Sequence, residues 1–253
     1  KFTIIKISAR GMKKNIILLT SLLLISCLTL TAIASTYLTQ ADAIYEEDNL
    51  EKVGESIPLY RKAVEEDPDS YEANWKIARA LREYADLSMQ ADVEDWDDIC
   101  EDYGKEGLDY AEIAIELNPD GVEGHYFYGL CAGTYSDGIS ILKAIRKGLK
   151  KKTERAFETA YEIDKMYGDA GPILALGRMW HQLPWPYQKE KTSEKYFEEY
   201  YQHFPDNPQG LVYYAELLDD RNKEEQAREL LERAAQSDHP YFSKKAKELL
   251  EDL

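Results

Sequence analysis

Arg79, Arg82 and Arg178 fall in stretches of helical period that also hold Trp75, Tyr126 and Leu174. A planar guanidinium takes a carboxylate through two parallel hydrogen bonds, and aromatic surface beside it accepts an apolar body. The chemistry on offer is recognition of an amphipathic carboxylate or a peptide terminus. The competing reading is that these arginines simply pair with neighbouring acids, of which the chain has 48. Catalytic patterns do not compete with either. The histidines His125, His181, His203 and His239 form no His-Glu-x-x-His, and neither Cys-x-x-Cys nor Gly-x-Ser-x-Gly occurs. Glycoside hydrolysis needs only two carboxylates, so counting acids does not decide it. No cofactor-binding or metal-ligating pattern is present, and the expectation is a protein that binds rather than catalyses.

Charge narrows the partner. Lys and Arg total 31, the formal charge is −17, and residues 1–34 hold five basic and no acidic side chains, so removing them leaves −22. Such a surface repels phosphate backbones, which argues against nucleic acid. Acid is densest around Trp96, in Asp92, Glu94, Asp95, Asp97, Asp98, Glu101 and Asp102. Asp95 and Asp97 alternate as calcium ligands would, but Ile99 follows and the turn glycine is missing, so a solvated acidic helix or loop is favoured.

The elements that position these groups repeat. Between Pro205 and Pro240 stand Leu211-x-x-Tyr214-Ala215-x-x-Leu218 and Ala227-x-x-x-Leu231-x-x-Ala234. This resembles a tetratricopeptide repeat (TPR), a helix pair of about 34 residues that ends in proline. Second-helix patterns recur at Ser56-x-x-x-Tyr60-x-x-Ala63, Gly107-x-x-x-Ala111-x-x-Ala114, Thr153-x-x-x-Phe157-x-x-Ala160 and Ser193-x-x-x-Phe197-x-x-Tyr200. First-helix large-small pairs recur at Ile77-Ala78, Tyr128-Gly129 and Leu176-Gly177. The resemblance implies an all-α, TPR-like helical-repeat solenoid, a right-handed superhelix of antiparallel helix pairs, over residues 35–253. Tyr241 to Leu253 reads as a capping helix.

Two stretches exceed the repeat, near 83–106 and 134–152. The first is acidic. The second carries an apolar stripe, Ile139, Leu142, Ile145 and Leu149, with Lys143, Arg146, Lys147, Lys150, Lys151, Lys152 and Arg155 on its other faces. The favoured expectation is that the two pack together as a charge-complementary flap; the alternative is a membrane-surface or anionic-partner role for the basic helix.

In a TPR stack the first helices line the concave face. Counted on this chain, the groove stripe holds Trp75, Arg79 and Arg82, then Glu123, Tyr126 and Leu130, then Leu174, Arg178 and His181, then Val212 and Glu216. A narrower resemblance lies in Leu176-Gly177-Arg178, Leu183-Pro184 and Tyr214-Ala215-Glu216, which is similar to the T component of TPR-associated TRAP transporters. It implies a periplasmic, often lipidated accessory that docks a solute-binding protein. Trp185-Pro186 and the two charged stretches depart from that pattern.

The N-terminus points to export. Met12-Lys13-Lys14-Asn15 leads into the apolar run from Ile16 to Leu30, the form of a signal peptide starting at Met12. Ala32-Ile33-Ala34 offers a small-x-small cleavage site, whereas Leu24-Ile25-Ser26-Cys27 has the form of a lipobox with Cys27 lipidated. Both readings stand; an uncleaved anchor is the third, weakened as a span by Thr20, Ser21, Ser26 and Thr29, and all three place the folded part outside the cytoplasm, in the periplasm or outer envelope. After cleavage the membrane is reached only where Cys27 carries a lipid anchor. The expected function is a non-enzymatic TPR binding or adaptor protein, either a T-type accessory of a TRAP-type system, with a periplasmic solute-binding protein or small organic acid as partner, or a general envelope scaffold.

Overall fold

A computed structural model describes residues 36–45 and 49–253. The signal-peptide readings, Met12 and Cys27 included, lie outside the described residues. The described chain is helical with no strand: α1 (36–44), α2 (Leu50–Glu66), α3 (Tyr71–Gln90), α4 (Trp96–Leu117), α5 (Val122–Ile139), α6 (Ile141–Arg146), α7 (Leu149–Asp164), α8 (Tyr167–Gln182), α9 (Glu190–His203), α10 (Pro208–Asp220), α11 (Glu224–Ala234) and α12 (Pro240–Asp252). Helices pack chiefly on their neighbours in sequence, as a stack of hairpins requires, with α7 reaching past the short α6 to pack on α5.

Short polar side chains start several of these helices. Asn49 accepts a hydrogen bond from the Lys52 amide, Ser70 from that of Ala73 and Asn207 from that of Gly210, each satisfying one free N–H of a first turn. Pro208 and Pro240 occupy first-turn positions, where a missing N–H costs nothing.

The small-large alternation read in the sequence becomes the inter-helix contact. Ala78 and Ala215 are fully buried. At Gly177, a Cβ would lie 2.8 Å from the Phe197 ring, and at Gly129 one would lie 2.3 Å from that of Phe157. The rings of Tyr60, Phe157 and Phe197 and the side chain of Leu231 are buried at equivalent places on four of the five second helices, the fifth having Ala111 there. Burying each of these large side chains contributes about 1.5–3 kcal/mol.

The acidic stretch is accommodated by longer helices. α3 runs on to Gln90, a turn with Asp92 and Asp95 at positive φ reverses the chain, and α4 begins at Trp96. Asp92, Glu94, Asp95, Asp97, Asp98, Glu101 and Asp102 are exposed. In the basic stretch the continuous apolar stripe is corrected. Ser140, at φ 80°, ends α5, and Gly148, also at φ 80°, separates α6 from α7. The broken helical register leaves Ile139 buried but turns Leu142 out, 56% exposed. The two stretches meet where the end of α5 lies on the start of α4, backbone against backbone. Among the described residues no ion pair joins 92–102 to 143–155; Lys150 pairs with Glu154 and Lys152 with Glu112. Within the first residues of α8, Gly168, Asp169 and Ala170 all take left-handed φ and kink the chain where other repeats close with proline.

Candidate ligand-binding cleft

The concave side of the stack holds a cleft of about 530 Å³, within the range of small-molecule sites. It receives Arg82 and Asp86 from α3, Tyr126, Leu130 and Asp137 from α5, Ile141 and Ile145 from α6, Leu174 and Arg178 from α8, Tyr213 from α10, and Tyr241 and Lys245 from α12. First helices therefore supply the floor, as the repeat predicts, and α6 and α12 supply flanks.

Each cation in the cleft already has an anionic neighbour. Arg82 donates to Glu83 at 2.9 Å and lies 3.2 Å from Asp86. Burial opposes its charge, yet Asp86 and Glu83 outweigh burial and hold the guanidinium firmly protonated. Arg178 donates to Glu216 and stacks 4.1 Å over the Tyr213 ring. Lys245 approaches Glu216 at 3.3 Å. Asp137 differs: among the described residues it makes no ion pair or hydrogen bond. It is open to solvent at the cleft surface but enclosed by protein on its other sides, and this desolvation, with Asp86 nearby, pushes its carboxyl up to about 6 against the pull of Arg178 and Arg82. Burial likewise pushes the Tyr126 hydroxyl up to about 12.

Arg82, Tyr126, Leu130, Leu174 and Arg178 thus come together as the stripe anticipates. Trp75 and Arg79 go elsewhere. Trp75 stacks on Phe127 at 5.8 Å, and Arg79 lies 4.1 Å from the Tyr45 ring and 5.2 Å from that of Trp75 while donating to the Tyr60 hydroxyl. Val212 is corrected from groove to core: it is fully buried among Leu211, Ala215 and Leu218, and Tyr213, one residue or about 100° further round α10, faces the cleft. His181 is also buried. Its Nε2 lies 2.8 Å from Asp220, and it lines a separate cavity of about 470 Å³ with Leu183, Pro184, Ala215 and Glu216. Trp185, preceding Pro186 across a cis peptide bond, is 88% exposed. Asp137, Tyr213, Tyr241 and Lys245 were not indicated by the sequence reading. Asp137 lies just past the start of the basic stretch and the others on helices assigned to core and cap; a carboxylate four residues after Gly133 on an otherwise apolar helix was the available signal.

Residues 37–181, more than half of the chain, match the family model described as Regulator of microtubule dynamics protein 1-3. The chain belongs to that family. Residues 191–252 match a tetratricopeptide repeat model. The match to the regulator of microtubule dynamics family ends at His181, so the cleft draws Arg82, Tyr126, Asp137 and Arg178 from that part and Tyr213, Tyr241 and Lys245 from the repeat that follows. No curated protein matches the chain. Among solved structures, a thermophilic TPR protein of Thermus thermophilus is similar at 14% identity and a TM-score of 0.62, covering 86% of this chain and 98% of its own. The pilF protein of Pseudomonas aeruginosa is similar at 17% identity and a TM-score of 0.56, covering 88% and 87%. These likenesses establish the fold, an all-α TPR-like solenoid.

Proposed function

We propose that this protein is a non-enzymatic adaptor that holds one segment of a partner in the concave cleft. The observation that carries the reading is the cleft itself, floored by consecutive first helices, with apolar walls from Leu130, Ile145 and Leu174 and charged groups at defined points. Walls of that kind take an apolar body, and Arg178 or Asp137 then selects the charge of its polar end.

The finer form of the proposal is an exported T-type accessory of a TRAP-type solute transport system. Its support is the resemblance in Leu176 to Arg178, Leu183-Pro184 and Tyr214 to Glu216, together with the gathering of Leu183, Pro184, Ala215 and Glu216 around one cavity beside His181. A periplasmic solute-binding protein docks there in this reading, and a small organic acid reaches Arg178. The alternative is a scaffold, in the sequence reading one of the cell envelope, that binds peptides or partner proteins. The family match favours it, since the family is described as a regulator of microtubule dynamics and microtubules are protein assemblies.

Crosslinking of the tagged protein in its own cells, followed by mass spectrometry, separates the two. Recovery of a solute-binding protein supports the transporter accessory. Recovery of assembly or filament proteins in its place ends that reading and leaves the scaffold.

A further inference from the structure

The basic stretch is a strongly charged surface, and of its cations the cleft takes only Lys150. Its balance is unlike the rest of this acidic chain: from Lys143 to Arg155 the only acidic side chain is Glu154. Glu154 takes Lys150 at 2.8 Å and lies 3.9 Å from Lys189, and Glu112 takes Lys152 at 3.1 Å. Lys147 donates to the Tyr135 hydroxyl, a neutral partner that leaves its charge in place. Lys143, Arg146, Lys151 and Arg155 are exposed and, among the described residues, make no ion pair.

Large apolar side chains are exposed on α6 and on the loop that Lys150 contacts. Ile141, Ala144 and Ile145 of α6 turn into the cleft, while Leu142 points away from it. Lys150 ties the start of α7 to the loop after α8, its Nζ 5.1 Å from the Trp180 ring and 5.8 Å from that of Tyr187. That loop holds Trp185 and Tyr187 out in solvent. Cations interleaved with an exposed leucine, tryptophan and tyrosine match the two layers of an anionic bilayer surface, charged headgroups outside and acyl chains just beneath.

We infer that α6, the first turns of α7 and the Trp185–Tyr187 loop form a docking surface for an anionic lipid bilayer. A nucleic acid or other polyanion would engage the cations but would leave Leu142 and Trp185 without a role, and the acidic remainder of the chain would repel a long polyanion. A bilayer uses both kinds of side chain and meets only this patch. The surface is the outer side of elements whose inner side lines the cleft; Leu142, Lys143, Arg146, Lys151 and Trp185 are not among the cleft residues, and the inference does not depend on what the cleft holds.

The test is flotation of the full chain with vesicles of phosphatidylcholine alone or mixed with phosphatidylglycerol. The unaltered chain is expected to gain binding from the anionic lipid. Joint reversal of Lys143→Glu, Arg146→Glu and Lys151→Glu is expected to cut that gain by about tenfold or more, and added salt to weaken it. Leu142→Ser with Trp185→Ser is expected to weaken binding with every charge kept, and quenching of tryptophan fluorescence by brominated lipid is expected to fall in Trp185→Phe. All these side chains are exposed, and unchanged circular dichroism identifies variants that remain folded. Equal anionic-lipid gain in the unaltered and charge-reversed chains overturns the inference. So does a loss on charge reversal that Leu142→Ser and Trp185→Ser do not share, if RNA competes for the site, since that pattern belongs to a polyanion.

Discussion

A Cβ built on Gly138 of α5 would sit 2.4 Å from the amide nitrogen of Glu101 on α4 and 2.6 Å from the Asp97 carbonyl oxygen. The two charged stretches therefore meet through bare backbone. Gly104 makes the reciprocal approach one turn further along α4, its Cβ position 2.4 Å from the Tyr135 nitrogen. Backbone cannot yield as a side-chain tip does, so Gly138→Ala must push two helices apart. The expected loss is about 1–3 kcal/mol of stability in urea denaturation. Gly133→Ala is the internal control, because nothing lies within 4 Å of its Cβ position, and it is expected to gain up to about 1 kcal/mol from helix propensity.

Arg178 is held by Glu216, which Lys245 also approaches. A carboxylate ligand must compete with Glu216 for that guanidinium. In calorimetry with short organic acids, Arg178→Ala is expected to lower affinity by the worth of a charged hydrogen bond, about 1.5–3 kcal/mol, and Glu216→Gln to raise it. Arg79→Ala should leave affinity unchanged, since Arg79 lies outside the cleft among Tyr45, Trp75 and Tyr60. Equal affinities in Arg178→Ala and the unaltered protein would remove that arginine from ligand binding.

Asp137 sets a pH dependence. Its folded pKa, near 6, stands above the ordinary value of 3.8 because the protein around its cleft-facing carboxyl, with Asp86 nearby, penalises the charge. Between those values the folded state binds more protons than the unfolded state, so the stability contributed by Asp137 falls as pH rises through that window. Asp137→Asn removes the term. Its urea-denaturation curve is expected to run above that of the unaltered protein at neutral pH, and the gap to close as pH drops toward 4. A gap that stays constant with pH would assign the effect to packing.

Cys100 and Cys131 are both free and buried, and burial pushes each thiol up to about 12. Neither is therefore a ready thiolate. Peptide mapping after iodoacetamide treatment is expected to find both unmodified in the folded protein and both modified in denaturant. A Cys100–Cys131 disulfide in the mapped peptides would contradict this arrangement.

The repeat was legible because its signals are local. Ala78, Gly129, Gly177 and Ala215 recur at fixed distances from large neighbours, and each meets its expected partner when helices pair. The apolar stripe through Leu142 was misleading because periodicity assumes an unbroken helix, and Ser140 and Gly148 break it through their φ angles. Half of the cleft was likewise visible: Arg82, Tyr126, Leu130, Leu174 and Arg178 follow from the inward spacing of first helices. Asp137 and Lys245 escaped it, since they reach the cleft from a lengthened helix end and a terminal helix that no single repeat contains.

By itself the sequence determined the helix pairs and their order, since both depend on side-chain spacing within about 34 residues. Only the tertiary structure decided which side chains share a cleft and which cations are already paired. Those outcomes depend on helix rotation, where one residue turns a side chain by about 100°, and on contacts between residues such as Arg178 and Glu216 that lie far apart in the chain. Val212 in the core and Tyr213 at the cleft are adjacent in sequence and opposite in environment for that reason.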